Sequence, residues 1–518
     1  MNGAQALIRT LVDAGVDVCF MNPGTSEMHF VAALDDVPEM RGVLALFEGV
    51  ATGAADGYAR LADKPAGVLL HLGPGLGNGL ANLHNARKAH TGVVNIVGDH
   101  ATYHKRYDAQ LESDIETVAR NVSTWIRTSD DVATVAADAA EAVAVASGPP
   151  AQVATLILPA DTCWIEGAEP APPQATPDPE PVDAEAVARI AAVLQGDEPA
   201  ALFIGGRACR ADALVDASRI ANTTGAKLLA ETFPARIERG AGRVPVERLA
   251  YLAEFAAMQL DGLQHLVVVD SKSPVSFFAY PDKASDLVPE GCTVHVLAGT
   301  AGDPAAALAA LADAVGAAPD AATIQDEARP DLPAGPLTAE AVCQAVGALM
   351  PEGTIVSDEG NTSGLFAPGL TAGAPAHDWL CLTGGAIGQG LPVALGAAVA
   401  CPDRQVIALQ ADGSAMYTLQ SWWTMAREGL DVVTIIFNNS SYAVLNMELA
   451  RVGATAGGEK AKAMLDLTGP GLDFVSLATG MGLRATRATT AEEFVDQLRA
   501  ALDADGPAVI EAIVPSIL

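Results

Sequence analysis

The stretch that decides the fold begins with Leu409-Gln410-Ala411-Asp412-Gly413-Ser414 and ends with Phe437-Asn438-Asn439. The apolar run 405–409 predicts a buried strand, a helix follows around residues 422–427, and the apolar run 432–437 predicts a second strand. In an open parallel sheet, the carboxyl ends of neighbouring strands form a crevice where ligands bind. The spacing therefore predicts that Asp412 and Asn439 meet at adjacent strand ends.

The chemistry of these two side chains indicates a divalent cation. Asp412 offers a carboxylate oxygen and Asn439 offers an amide oxygen. Mg2+ prefers hard oxygen ligands and takes few of them from the protein, which leaves positions for phosphate oxygens and water. A βαβ unit with a polar turn and no ligand is the structural alternative for this stretch.

The pattern resembles the diphosphate motif of thiamine diphosphate enzymes, with Ala411 in place of the first glycine. The resemblance implies that Asp412, Asn439 and the backbone carbonyl of Ser441 hold Mg2+, which clamps the diphosphate of the cofactor. Three further residues are assigned to the cofactor by the same resemblance: Gly413, Ser414 and Tyr442.

The order of predicted elements indicates an α/β fold of three doubly wound parallel-sheet domains. We expect an N-terminal domain at 1–165, a middle domain at 182–317 and a C-terminal domain at 336–518. The resemblance implies that the first is the pyrimidine-binding domain and the third is the diphosphate-binding domain. Segments rich in proline and acidic residues separate them. The glycine-rich segment 73–79 is expected to be a turn that leads into a helix at 80–88.

Composition excludes several classes of protein. The net charge of −33 disfavours binding to nucleic acid or to an anionic membrane. No apolar run is long enough for a membrane-spanning helix, and the N-terminus lacks the basic region of a signal peptide. The seven cysteines include no Cys-x-x-Cys pair, which predicts reduced thiols and a cytoplasmic location.

Glu48 is the first candidate catalytic residue. It follows a predicted strand at 43–47, where burial of a carboxylate is costly unless it has a partner. It is also placed to act as an ordinary helix N-terminal acid. With the following Ala55-Asp56-Gly57-Tyr58-Ala59-Arg60, it resembles the family's activating glutamate. The resemblance implies that Glu48 binds the pyrimidine ring of the cofactor and promotes loss of the thiazolium proton.

A second glycine-rich segment, 384–390, precedes a helix of small residues. Glycine lets backbone approach a ligand closely, although tight packing of a helix on a sheet needs glycine as well. The resemblance implies that the carbonyl of Gly385 binds the aminopyrimidine and that Ile387 holds the cofactor in its bent shape. It also implies active sites between chains, and hence a homodimer or homotetramer.

His71 and Thr25 are the candidates for contact with substrate. Both lie at the ends of predicted strands, and a histidine at a strand end is commonly structural. The surrounding residues resemble those of benzoylformate decarboxylase, which implies that the imidazole and the hydroxyl bind the substrate carboxylate and transfer protons. The resemblance places that enzyme's second active-site histidine at Pro281 in this chain.

The sequence therefore predicts a thiamine diphosphate and Mg2+ dependent enzyme that decarboxylates a 2-oxo acid and releases an aldehyde or joins it to a second carbonyl. An acetolactate synthase catalytic subunit is the alternative, although Glu448 stands where synthases carry a tryptophan. We expect Glu448 to demand a substrate that is bulkier or neutral at that end, or to carry a proton. A non-catalytic cofactor-binding subunit and a nucleotide-binding oxidoreductase are less favoured, and FAD binding by the middle domain stays open.

Overall fold

The computed structural model describes residues 1–454 and 458–517. The expected C-terminal domain, 336–518, therefore includes positions 455–457 and 518, which lie outside the described residues. Strands form three separate sheets, each flanked by helices. The described residues contain no helix with the length and apolar character needed to span a membrane.

The first sheet has six parallel strands in the order β2-β1-β3-β4-β6-β5. Its strands are β1 Val18–Asn22, β2 Arg41–Leu44, β3 Ala66–His71, β4 Val93–Asp99, β5 Trp125–Thr128 and β6 Val153–Pro159. Its helices are α1 Gly3–Asp13, α2 Met28–Ala33, α3 Glu48–Ala62, α4 Leu72–Ala89, α5 Ile115–Ala119, α6 Val135–Ser147 and α7 Ala160–Trp164. The parallel order places the carboxyl ends of β1 and β3 side by side.

Two sequence-based expectations in this region are wrong. Strand β2 ends at Leu44, so Glu48 is the first residue of α3 and does not end a strand. The glycine-rich segment 73–79 is helical, because α4 begins at Leu72. A Cβ at Gly73 or Gly79 would lie 2.0 Å from Ser113 or 2.9 Å from Thr52, so these glycines permit close packing of the helix.

The middle sheet has five parallel strands in the order β10-β8-β7-β11-β12. Its strands are β7 Ala200–Ile204, β8 Lys227–Ala230, β10 Glu247–Arg248, β11 His265–Val269 and β12 Thr293–Ala298. Its helices are α8 Ala184–Leu194, α9 Ala211–Thr224, α10 Ala253–Leu260 and α11 Pro304–Ala314. The chain changes direction across the sheet between β7 and β11, which is the position where ligands bind in such sheets.

The third sheet has seven strands in the order β17-β18-β16-β15-β13-β14-β9. Its strands are β13 Ile355–Glu359, β14 His377–Cys381, β15 Val406–Ala411, β16 Val432–Asn438, β17 Arg484–Ala488, β18 Ala508–Ile513 and, from the middle segment, β9 Ile237–Arg239. Strand β9 pairs antiparallel with β14 and so joins the middle segment to the third sheet.

The helices of the third region cover both faces of its sheet. They are α12 Ala339–Leu349, α13 Ala367–Leu370, α14 Gly390–Ala400, α15 Asp412–Ala415, α16 Gln420–Glu428, α17 Ala443–Arg451, α18 Glu459–Ala463, α19 Phe474–Gly480 and α20 Ala491–Leu502. Helix α14 packs closely on α3 of the first region. A Cβ at Gly57 would lie 2.2 Å from the carbonyl oxygen of Val393, and one at Gly396 would lie 1.9 Å from that of Ala54.

Candidate active site

The ends of β15 and β16 bring Asp412 and Asn439 together. The two strands pair in parallel up to Ala411 and Phe437, so the residues that follow lie at one edge. The carboxylate of Asp412 accepts hydrogen bonds from the backbone N–H groups of Asn439, at 3.0 Å, and of Ser440, at 2.7 Å. The side-chain oxygen of Asn439 accepts from the N–H of Ser441 at 3.0 Å.

Asp412 is 1% exposed and has no cationic partner among the described residues. Burial raises its pKa, although the N–H groups of Gly413, Ser440 and Asn439 oppose the shift. A buried carboxylate is normally paired with a cation or bound to a metal ion. The carboxylate of Asp412 and the amide oxygen of Asn439, at adjacent strand ends, are hard oxygen donors of the kind that Mg2+ takes, so these two residues fit that ion.

The residues around Asp412 shape a narrow turn. A Cβ at Gly413 would lie 2.4 Å from the ring of Tyr442, so the aromatic ring covers this turn closely. The hydroxyl of Ser414 accepts a hydrogen bond from Gln410 at 2.6 Å and is buried. Gly413, Ser414 and Tyr442 therefore lie together with Asp412 at one end of the third sheet.

Glu359 is a site residue that the sequence analysis missed. It ends β13, is 1% exposed, and accepts from the N–H groups of Gly388 and Gly390, both at 2.6 Å. Burial raises its pKa despite these hydrogen bonds. Its place after an apolar strand is the same signal that identified Asp412. Glu359 fixes the glycine-rich loop that carries Gly385, which has a φ of +73°, and the half-buried Ile387.

Glu48 lies at the start of α3 and is half-buried. One carboxylate oxygen accepts a hydrogen bond from the side chain of Asn78 at 3.0 Å. A Cβ at Gly75 would lie 3.4 Å from the other oxygen, so this glycine leaves space beside the carboxylate. The first turns of α3 and α4 thus form the surroundings of Glu48.

Helix α4 also holds the glycine-rich loop of the third region. Asn82 donates to the carbonyl oxygens of Gly49 and Gly388, at 2.7 Å and 3.2 Å. Asn85 donates to the carbonyl of Ala386 at 2.8 Å. Within one chain, the backbone next to Glu48 and the loop that carries Gly385 and Ile387 are therefore held by the same asparagine side chain.

The Asp56-Gly57-Tyr58-Ala59-Arg60 part of α3 has a structural role that its sequence did not reveal. Asp56 and Arg60 form an ion pair at 2.7 Å with both side chains fully buried. Asp56 also accepts from Gln389 at 2.8 Å, and Arg60 donates to the carbonyl of Cys381 at 2.8 Å. The motif therefore cross-links the first and third regions, and removal of one partner would leave a buried charge uncompensated.

His71, at the end of β3, forms a pair with Glu27, which the sequence analysis also missed. The Nδ1 atom of His71 lies 2.8 Å from a carboxylate oxygen of Glu27, which also accepts from the N–H of Gly24 at 2.7 Å. Burial raises the pKa of Glu27, and the hydrogen bonds from Gly24 and His71 oppose the shift. A Cβ at Gly98 would lie 1.6 Å from the second oxygen, so this glycine makes room for the acid.

The pair fixes the direction of the imidazole. With Nδ1 next to the carboxylate, Nε2 is the ring nitrogen with no hydrogen-bond partner among the described residues, and the side chain of His71 is 23% exposed. The next residue, Leu72, has a φ of +55°, which is unusual for a residue with a Cβ and marks strain at this strand end. Thr25 is exposed at the start of the turn 25–27.

Two family models match the chain. The model described as thiamine pyrophosphate enzyme, N-terminal TPP binding domain, matches residues 1–119, and the corresponding C-terminal TPP binding domain matches residues 358–512. The chain belongs to the thiamine diphosphate enzymes. The matched segments contain every candidate catalytic, cofactor and metal residue named above.

Relatives carry two kinds of name. The chain is 61% identical, over 100% of both sequences, to the putative acetolactate synthase large subunit IlvX of Mycobacterium tuberculosis. It is 32% identical to the benzoylformate decarboxylase of Pseudomonas aeruginosa, over 96% of each sequence. A thiamine diphosphate-dependent 4-hydroxybenzoylformate decarboxylase of Rhodococcus jostii RHA1 has the same fold, with a TM-score of 0.84, 24% identity and 99% coverage of both chains.

In this thiamine diphosphate enzyme, Glu448 has a cationic neighbour. Its carboxylate lies 3.6 Å from the guanidinium of Arg451, which stacks on the ring of Tyr280 with 4.5 Å from Cζ to the ring centroid. Arg451 also pairs with Glu254 at 3.0 Å. Arg451 therefore places a positive charge beside the half-buried carboxylate of Glu448. Pro281, next to Tyr280, faces Gly453.

The switch point of the middle sheet is filled by the protein's own acids. The N–H of Gly206 donates to Glu231 at 3.1 Å, and that of Arg207 donates to Asp270 at 2.7 Å. A Cβ at Gly205 would lie 2.8 Å from the carboxyl carbon of Glu231. Backbone N–H groups at this position bind phosphate in nucleotide sites. Here they are occupied by carboxylates, so the residues do not fit the diphosphate of FAD.

Proposed function

We propose that the enzyme decarboxylates a 2-oxo acid, with thiamine diphosphate and Mg2+, and releases the product as an aldehyde or joins it to a second carbonyl. The observation that carries the proposal is the His71–Glu27 pair at the end of β3, because a protein that only stored the cofactor would have no use for an oriented imidazole there. The 32% identity to a benzoylformate decarboxylase supports the same reaction class.

Each group of residues has a distinct role in this proposal. When bound, the cofactor supplies a carbanion equivalent that adds to the carbonyl and accepts the electrons released with CO2. Asp412, Asn439 and the carbonyl of Ser441 hold the metal ion, and Glu48 hydrogen-bonds the pyrimidine ring and keeps it in the reactive protonation state. Gly385 and Ile387 support that ring from the third region.

His71 and Thr25 act on the substrate side. With a proton on both ring nitrogens, the Nε2–H of His71 and the hydroxyl of Thr25 donate hydrogen bonds to the carboxylate of the 2-oxo acid. After CO2 has left, Nε2 gives its proton to the product carbon. Glu27 does not touch the substrate. It keeps the proton of His71 on Nδ1 and stabilises the imidazole when Nε2 takes up a second proton.

We also propose that the active enzyme is a homodimer or homotetramer, located in the cytoplasm, with sites between chains. Several large apolar side chains beside the site residues are exposed in a single chain: Leu46 by 48%, Leu365 by 72% and Tyr417 by 52%. Apolar side chains that cluster near a functional site commonly mark an interface with another chain. Seven free cysteines agree with a reducing compartment.

Acetolactate synthesis is the second candidate, favoured by the 61% identity to a putative acetolactate synthase large subunit. In that case the decarboxylated intermediate reacts with a second 2-oxo acid. In either reaction we propose that the enzyme works without FAD, since Glu231 and Asp270 occupy the amide groups of the middle domain. The purified protein should therefore lack the visible absorbance of a flavin.

A substrate panel and one variant test the proposal. The holoenzyme is incubated with aromatic and aliphatic 2-oxo acids while CO2, aldehyde, acyloin and acetolactate are measured. We expect Glu48→Gln to lower turnover by about 10²–10⁴-fold, the scale of a lost proton-transfer group, while cofactor affinity changes little. Glu340→Gln, in the first turn of α12, is the matched control and should keep full activity. Equal turnover by Glu48→Gln would overturn the role of Glu48, and no CO2 from any substrate would overturn the reaction.

A further inference from the structure

A cleft between the middle and third regions lies at the edge of the third sheet opposite the candidate active site. Its volume is about 360 Å³. The residues that line it include Gly353 before β13, His377 at the start of β14 and Arg404 before β15. These are the amino ends of the strands, whereas Asp412 and Asn439 follow the carboxyl ends. The cleft is therefore separate from the proposed metal and cofactor site.

Most charged groups of the cleft satisfy one another. Asp378 binds the guanidinium groups of both Arg236 and Arg404, and Arg236 also donates to Glu238 at 3.1 Å. Arg404 donates in addition to the carbonyl of Gly353 at 2.6 Å. These contacts connect β9, β14 and the turn before β13, so they form a fixed polar floor.

Two charged side chains of opposite sign are left over. Arg243, from the loop after β9, and Glu352, from the turn before β13, both line the cleft. Neither forms an ion pair with any described residue within 4.0 Å, so they do not neutralise each other across the space. Arg243 is half-buried and Glu352 is exposed. The cleft thus presents one unpaired cation and one unpaired anion from different regions of the chain.

This arrangement selects a class of ligand. A simple anion would meet Arg243 but would be repelled by Glu352 and Glu238, and a simple cation would be repelled by the arginines. A guanidinium binds a carboxylate through two parallel hydrogen bonds. An ammonium group is a compact positive charge, and a carboxylate binds it as an ion pair. We propose that the cleft is a second ligand site, specific for a small α-amino acid whose carboxylate binds Arg243 and whose ammonium group binds Glu352.

The proposal does not depend on the reaction. Ala376 is the one apolar side chain in the lining, so the site favours an amino acid with a small side chain. The floor of the site also contacts the first region, because Arg236 donates to the carbonyl of Arg60 at 3.2 Å near the end of α3. A bound amino acid would therefore lie beside the contact that joins all three regions.

Calorimetric titration of the holoenzyme with L-alanine, propionate and propylamine tests the site. We expect saturable binding of L-alanine alone, because only this probe carries both charges. Arg243→Gln and Glu352→Gln should each weaken it by about tenfold, the usual effect of losing one charge-assisted contact. Matched controls are Arg189→Gln and Glu185→Gln, which change exposed residues of α8 and should bind L-alanine like the parent enzyme.

Three results would overturn the proposal. They are the absence of saturable L-alanine binding, equal binding of propionate or propylamine, and L-alanine binding that both cleft variants leave unchanged. The last result would place the amino acid elsewhere, for example at the 2-oxo acid site. Thermal unfolding of each variant confirms that it is folded before titration.

Discussion

Asp412 in the third region and Asp270 in the middle region follow strands of similar sheets but have different surroundings. Each carboxylate is at least nine-tenths buried and accepts backbone hydrogen bonds at its strand end. Asp270 has a cation of its own, since the Nε atom of Arg207 lies 3.8 Å away. Asp412 has none among the described residues. The difference supports our proposal that Asp412 binds a metal ion, whereas Asp270 is neutralised by a side chain of the protein.

The two crevices also differ in free space. At the middle switch point, a Cβ at Gly206 would lie 2.6 Å from Asp270, so the volume next to the glycine is already filled by an acid. At the third sheet, a Cβ at Gly413, next to Asp412, would lie 2.4 Å from the ring of Tyr442, whereas no atom of the described residues lies within 4 Å of a Cβ at Gly385. The third region therefore keeps open space at Gly385, while an acid fills the space beside Gly206 in the middle region.

The largest expected effect is on metal and cofactor binding, and it comes from replacing Asp412, the acid that has no cationic partner among the described residues. Asp412→Asn should weaken Mg2+ and cofactor binding by at least about 10²-fold, because it removes the single carboxylate of the proposed metal site. Asp270→Asn is the matched change and should leave both affinities unchanged. Binding is measured by titrating the metal-free protein with each component. If the two variants behaved alike, the contrast between the regions would be wrong.

The second largest effect concerns the His71–Glu27 pair of the first region. His71→Ala should lower turnover by at least about 10²-fold, the usual scale for a lost proton-transfer group. Glu27→Gln should cost about tenfold or more, because an amide in place of the carboxylate no longer stabilises a protonated imidazole. The measurement is the pH profile of kcat/KM.

A structural role for Glu27 would predict a different result. In that case Glu27→Gln would lower stability and leave the shape of the pH profile unchanged. Glu27→Asp, which keeps the carboxylate, should restore part of the activity. A variant with the parent profile and parent rate would show that Glu27 does not orient His71.

The smallest expected effect is on the free energy of unfolding, and it comes from replacing Glu231. Burial raises the pKa of Glu231 from its ordinary value of 4.5 to about 7, with a further contribution from Asp270. Because the folded-state pKa is the higher one, the stability that this group contributes is present below pH 4.5 and is lost as the pH rises through 7. Glu231→Gln should remove that loss and raise the free energy of unfolding at pH 8 by about 3 kcal/mol. Denaturant unfolding at pH 5 and pH 8 measures it, and an equal difference at both pH values would contradict it.

The main features of the fold could be predicted from the sequence where hydrophobic runs were long and bounded by polar residues. The apolar runs 405–409 and 432–437 were predicted as strands and correspond to β15 and β16, whose pairing placed Asp412 beside Asn439 as expected. The glycine-rich start of α4 was mistaken for a turn, because glycine is a poor helix former in isolation. Strand β9 was missed because it is three residues long and pairs with a strand that lies far away in the sequence.

The sequence by itself determined the family, the order of α/β units and the residue types at the strand ends, because these depend on local periodicity and on short motifs. Only the tertiary structure decided how the acids are used. Glu27 and Glu359 were recognised once the fold had placed His71 and the N–H groups of Gly388 and Gly390 beside them. A buried carboxylate gains or lacks a cationic partner according to which distant parts of the chain fold against it. Asp270 is paired with Arg207 in this way, whereas Asp412 has no cationic partner among the described residues.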